Sequence, residues 1–113
     1  MPRRARTIAT LPGPVSRSLE VLGHNLRIAR KRRKETMAAF AERMQVSVPT
    51  LRKMENGDPT VSIAVYGTAL WLVGRVNWLP QIADPAVDDI ALELELSRIP
   101  GVGASSKARW NSR

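Results

Sequence analysis

Residues 36–57, TMAAFAERMQVSVPTLRKMENG, constrain this chain more than any other stretch, because they hold start and stop signals for two short helices with almost nothing between them. The Thr36 hydroxyl can accept a hydrogen bond from a backbone N–H two or three residues on, which opens a helix. Within it Phe40, Ala41 and Met44 recur at helical spacing and form a buried face. Gln45 and Val46 then make a turn. Ser47 is a second N-cap, opening VPTLRKMEN with Pro49 in the first turn, where a missing N–H costs little. Leu51 and Met54 point back to the core. Gly57 can take the left-handed conformation just past the helix, and Pro59 cannot continue it. The second helix is left presenting Val48, Pro49, Thr50, Arg52 and Lys53 outward.

This segment resembles the helix-turn-helix of the Xre/Cro-like repressors, whose usual form runs roughly Ser-Gln-x-x-Leu-Ala-x-x-x-Gly-Val-Ser-x-x-Thr-Leu-x-x-x-Glu-x-Gly. Thr36, Phe40, Ala41, Val46, Ser47, Thr50, Leu51, Glu55 and Gly57 stand in the matching places, and the likeness covers about residues 20 to 82. The continuation GDPTVSIAVYGTALWLVGRVNWLPQIADP is most similar to HipB-like antitoxins. The resemblance implies an all-α, five-helix Cro/repressor-like domain over residues 19–83, between a flexible basic arm (1–18) and a C-terminal extension (84–113). It implies a homodimer that binds double-stranded operator DNA and represses transcription, without a cofactor. In its HipB-like form it also implies a HipA-like kinase toxin as partner; the alternative is a stand-alone phage or bacterial repressor.

The charge agrees with a polyanionic partner. The 113-residue chain carries a formal net charge of +8 and a sequence pI of about 11.3. The excess is one-sided: ten Lys/Arg face only Glu20 in residues 1–34, whereas residues 61–113 hold five of each sign. Such a patch attracts phosphate backbones and releases counterions on binding, so affinity should fall with salt. No apolar run is long enough for a membrane span or a signal peptide, so no membrane partner is expected and the chain reads as bacterial and cytoplasmic. The absence of cysteine removes disulfides, thiolate metal sites and thiol nucleophiles. His24 is the sole histidine and reads as a packed or capping residue. Asp88, Asp89, Glu93 and Glu95 lack a histidine or cysteine beside them, and neither catalysis nor a metal is expected.

Along the chain, residues 1–18 hold three prolines and several arginines without apolar period, and Arg3, Arg4 and Arg6 could enter a narrow minor groove. From about Ser18 to Lys34, Leu19, Leu22, Leu26 and Ala29 make one core-facing stripe. Arg27, Arg30, Lys31 and Lys34 lie off it, either solvating a face or reaching toward phosphates. In the resembling family the residue at Glu55 pairs with an arginine of this first helix. Ile63, Tyr66, Leu70 and Val73 mark a helix from near Ser62 to a stop at Gly74, and a short helix over about Asn77 to Ala83 follows. Trp71, Trp78, Leu79 and Ile82 either complete the core or form a dimer interface, the latter being favoured. ALELELSRI alternates in a way that fits a short strand nearly as well as a helix turn. IPGVGASSKA looks like the hairpin of helix-hairpin-helix modules, against a plain turn into a polar tail.

In the resembling repressors the positions of Val48, Pro49 and Lys53 read base edges. The first two are apolar here and can only press on thymine methyls, so direct readout should rest on Arg52 and Lys53 at guanine N7 and O6. Thr36, Ser47 and Thr50 would hold phosphates together with helix-start amides, with Arg32, Arg33 and Lys34 reaching the backbone from the end of the first helix. Met37 occupies the place of a phosphate-binding glutamine. Ala38, Ala39 and Asp58 also depart from the pattern, and each weakens the backbone grip.

Overall fold

The computed structural model describes residues 10–100. Its α-helices are α1 (Gly13–Arg32), α2 (Met37–Met44), α3 (Val48–Glu55), α4 (Ile63–Leu72) and α5 (Asp89–Ser97), with 3-10 segments Val76–Gln81 and Pro85–Val87 before the last. The class is all-α, and no strand occurs among the described residues. The chain divides into two compact units, residues 1–79 and 80–113. The arm residues Arg3, Arg4 and Arg6 and the hairpin-like IPGVG tail beyond Pro100 lie outside the described residues.

In the first unit three helices open on hydroxyl caps. Thr36 Oγ1 accepts from Ala39 N at 3.1 Å, Ser47 Oγ from Thr50 N at 3.2 Å, and Ser62 Oγ from Val65 N at 3.3 Å. Each satisfies an amide that the helix itself cannot. Helix α1 begins differently, at Gly13 rather than near Ser18, with Pro12 in the cap position and no side-chain cap. The prolines of LPGP, which the sequence places in the flexible arm, start the helix instead. Pro14 needs no donor in the first turn and its ring already fixes a helical φ. Residues 13–18 therefore belong to the helix and not to an arm.

Helix α1 packs on α3, and α2 packs on both α3 and α4. Between them Leu26, Phe40, Ala41, Met44, Leu51, Met54, Tyr66, Ala69 and Val73 form one buried cluster. Two of the residues expected inside α4 are placed otherwise: Ile63 is 72% exposed and Leu70 only half-buried, while Ala69 is fully buried. IAVYGTALWL is apolar almost all round, so its sequence alone does not choose a face. The α2–α3 turn passes through Gln45 in the left-handed conformation (φ 59°), a position where a side chain costs about 1–2 kcal/mol.

Tyr66 closes the loop after α3, its hydroxyl donating to the Asp58 carbonyl at 3.0 Å. Burial, and then the negative charge of Asp58, raise its pKa above the ordinary tyrosine value of 10.0. The folded state thus keeps the phenol neutral after the unfolded chain has begun to ionise. Its contribution is complete below about pH 10 and is lost as pH rises through the folded value. Tyr66→Phe is expected to cost about 0.5–1.5 kcal/mol at neutral pH. Denaturant titrations of both proteins check this: the gap should narrow above pH 10, and a gap that stays constant to pH 11 would contradict the assignment.

The helix expected over Asn77 to Ala83 is instead the 3-10 segment Val76–Gln81, which contains Pro80. Proline has no N–H to donate and its ring collides with the carbonyl one turn back, so an α-helix cannot run through it. The alternating ALELELSRI stretch, for which a strand was the other expectation, lies mostly in α5. Asp88 Oδ1 caps it by accepting from Ala91 N at 3.0 Å, and alanine, leucine and glutamate favour helix over strand. A two-residue apolar period wound into a helix scatters round it, leaving Ile90, Leu92 and Leu94 exposed and no residue of α5 buried.

Candidate nucleic-acid interface

Helix α3 is fixed at both ends. At its start Ser47 Oγ lies 2.9 Å from Thr50 Oγ1 while also capping Thr50 N. Near its end Glu55 takes two hydrogen bonds from Arg30 of α1, Nε to Oε2 at 2.8 Å and Nη2 to Oε1 at 3.1 Å. This is the expected partner of Glu55, but it corrects one placement. Arg30, set off the α1 stripe by the sequence, is only 6% exposed. Its remaining Nη1 donates to the Glu35 carbonyl at 2.9 Å, tying in the α1–α2 link. The hydrogen bond to Glu55 is the main cause that raises the Arg30 pKa still further.

Of the expected base-contacting residues, Pro49, Arg52 and Lys53 are exposed on α3. Val48 is half-buried and packs against the core cluster, so little of it is free to meet a thymine methyl. Pro49 supplies no amide, and the Thr50 amide is bound by Ser47, which leaves the start of α3 thinly furnished with donors for a phosphate. Asp58 sits just past α3. Its carboxyl is held below the usual range by hydrogen bonds from the Thr60 hydroxyl and amide, with the positive charge of Lys53 contributing.

The expected phosphate ligands divide. Thr36 is exposed at the start of α2, where its oxygen accepts from Ala39 N and its O–H remains free to donate. Met37 packs against the core and is half-buried, so the glutamine-like role is closed to its side chain. Arg32 and Lys34 are exposed, Lys34 in the left-handed conformation (φ 55°). Arg33 donates to the Ala29 carbonyl at 2.8 Å and to the Val73 carbonyl at 3.1 Å, which occupies it in joining the end of α1 to the end of α4. Arg43 is paired with Glu35.

A feature that the sequence did not single out is a cleft of about 250 Å³ between α1 and α3, lined by Arg27, Arg30, Met37, Arg52, Glu55 and Asn56. The signal that could have found it is helical spacing: Arg27 is three residues before Arg30 and shares its face. Away from α3, Trp71 and Trp78 are 63% and 60% exposed, and the Arg75 guanidinium lies 5.5 Å from the Trp78 ring centroid. Leu79 is half-buried and lies over Gly67 of α4. Ile82, in the second unit, is 77% exposed.

Two short capped helices joined by a left-handed turn, the second clamped to a preceding helix by a buried ion pair, define a helix-turn-helix. Residues 21–74 match the family model of a helix-turn-helix domain. Over that stretch, just under half of the chain, the protein is similar to a helix-turn-helix domain, which supports a DNA-binding regulator. No curated protein and no solved structure matches it. Among the described residues, no helix is long and apolar enough to cross a membrane.

Proposed function

We propose that the protein is a sequence-specific transcriptional repressor of the Xre/Cro-like kind, acting in the bacterial cytoplasm. It binds operator DNA as a homodimer, with α3 of each subunit in successive major grooves about 34 Å apart. The observation that carries this is α3 itself, clamped at Glu55 and capped at Ser47, with Pro49 and Lys53 exposed. The surface that Trp71 and Trp78 present supports the dimer, since large apolar side chains left open on so small a unit are normally covered by a partner. Selection of duplexes from a random pool at moderate salt should return a palindrome with half-sites one helical turn apart. Lys53→Ala should lose about 1–3 kcal/mol of discrimination at one position of each half-site. Trp71→Glu should turn the dimer into a monomer by sedimentation and reduce binding to that of a single half-site. A pool with no enriched sequence would defeat the proposal.

A second role as the antitoxin of a HipA-like kinase is supported by the HipB-like continuation through residues 57–85 and by α5. That helix exposes Ile90, Leu92 and Leu94 and buries nothing of its own, as a segment awaiting a protein partner would. Co-expression with a HipA-like kinase encoded beside this gene should give a stable complex and normal growth. Deleting residues 84–113 should release toxicity while DNA binding persists. No complex with such a kinase, or an isolated locus without one, would leave the repressor role alone.

A further inference from the structure

We infer that the cleft between α1 and α3 is a phosphate seat for the DNA backbone, gripped by Arg27 and Arg52, and that Arg52 is therefore a backbone clamp and not a base reader. This rests on the repressor reading above. Three arginines, Arg27, Arg30 and Arg52, line it together with a single acidic residue, Glu55. Glu55 is wholly engaged by Arg30 through both its oxygens. Arg27 and Arg52 are exposed and have no acidic partner among the described residues, so the cleft holds two uncompensated positive charges on two different helices. Asn56 adds an amide at the rim. A volume of about 250 Å³ equals roughly eight waters, enough for one phosphodiester group with part of its hydration.

Helix geometry separates Arg52 from its neighbour. Successive residues on an α-helix point about 100° apart. Arg52 lines the cleft toward α1, and Lys53 does not. A helix of about 10–12 Å diameter fills a major groove about 12 Å wide, so a side chain on its flank meets the phosphate wall while one on its leading face meets base edges. With Lys53 on the leading face, Arg52 is on the flank, and Arg27 reaches the same wall from α1. Two arginines of fixed fork geometry converging from different helices on one oxyanion make a charge-assisted grip that also sets how deeply α3 sits.

Arg27→Ala and Arg52→Ala test this by binding to the selected palindrome and to a scrambled duplex over a range of salt. Each should weaken both duplexes by the same factor, about tenfold, and lower the slope of log K against log salt by about one. Together they should lose less than the product of the single losses, because they share one phosphate. Melting temperature should be unchanged, since neither side chain has an ion-pair or hydrogen-bond partner among the described residues. If Arg52→Ala instead alters preference at one base pair while leaving the scrambled duplex unaffected, Arg52 reads a base and the seat is refuted with the repressor reading intact. Unchanged slope and affinity in Arg27→Ala refute it equally. A wild-type protein that binds duplex without preference defeats the repressor reading alone, and the slopes on any duplex still decide the cleft.

Discussion

Gly23→Ala is expected to destabilise the helix-turn-helix unit by about 3 kcal/mol or more, at or beyond the upper end of ordinary overpacking. A Cβ at this position on α1 would stand 2.4 Å from the Met54 carbonyl oxygen, 2.7 Å from the Gly57 amide nitrogen and 2.8 Å from the Glu55 carbonyl oxygen. All three are backbone atoms at the end of α3, so no side chain can swing away to make room. The same junction is closed from the other side by Gly57, at φ 74°, whose own Cβ would meet the Glu20 backbone at 2.5 Å. The two glycines let the backbones of α1 and the α3 exit approach directly, and that approach sets the tilt of α3 against α1. Gly67→Ala on α4 is the matched control. There the added methyl meets only Leu79 Cδ2 at 3.5 Å, an ordinary contact, and alanine in a helix interior is favoured over glycine by about 0.5–1 kcal/mol. Denaturant melts of the two variants should therefore move in opposite directions. A Gly23→Ala protein as stable as wild type would mean that α1 and α3 do not approach this closely.

What could be read in the sequence was local. Thr36, Ser47 and Ser62 cap helices because hydroxyls at those places bond amides two or three residues away, and no distant partner is needed to see it. Gly57 was legible for the same reason, as the residue just past a helix. Gly23 was not, because a glycine inside a helix reads as a small propensity cost until the backbone facing it is known. Arg30 stands in a run of cations, Arg27, Arg30, Lys31, Arg32, Arg33 and Lys34; its place four residues after Leu26 puts it beside the apolar stripe, but its charge reads as outward until the buried Glu55 facing it is known. Prolines at 12 and 14 fell within the stretch read as an arm, and only the chain beyond them decides whether they end one element or begin another. Within the candidate site, the outward side of α3 was legible from Leu51 and Met54 pointing inward. That Arg52 and not Lys53 lines the cleft beside α1 was not, since it depends on where α1 lies.

Removing one partner of the Arg30–Glu55 pair is expected to cost about 3–5 kcal/mol, because it leaves a full charge buried without compensation. The two side chains are only 7% and 4% exposed and meet in a two-pronged arrangement. In Glu55→Ala the orphaned guanidinium cannot escape by losing its proton, since arginine stays protonated in proteins. Its remaining bond to the Glu35 carbonyl holds it in place while supplying no countercharge. Domains commonly have about 0.05–0.15 kcal/mol of stability per residue, so a unit this small would stand close to unfolding after such a loss. The double change Arg30→Met with Glu55→Leu removes both charges together and should regain most or all of that stability. Urea melts of the single and double variants give the coupling directly. A Glu55→Ala protein within about 1 kcal/mol of wild type would show the pair to be solvated, as exposed ion pairs are. The double variant also separates stability from orientation. With hydrophobic side chains in place of the directional fork, α3 can keep its packing yet lose its fixed angle to α1. A fold of full stability with weakened operator discrimination is the expected outcome, since the Arg30–Glu55 geometry and the cleft beside it hold the same helix.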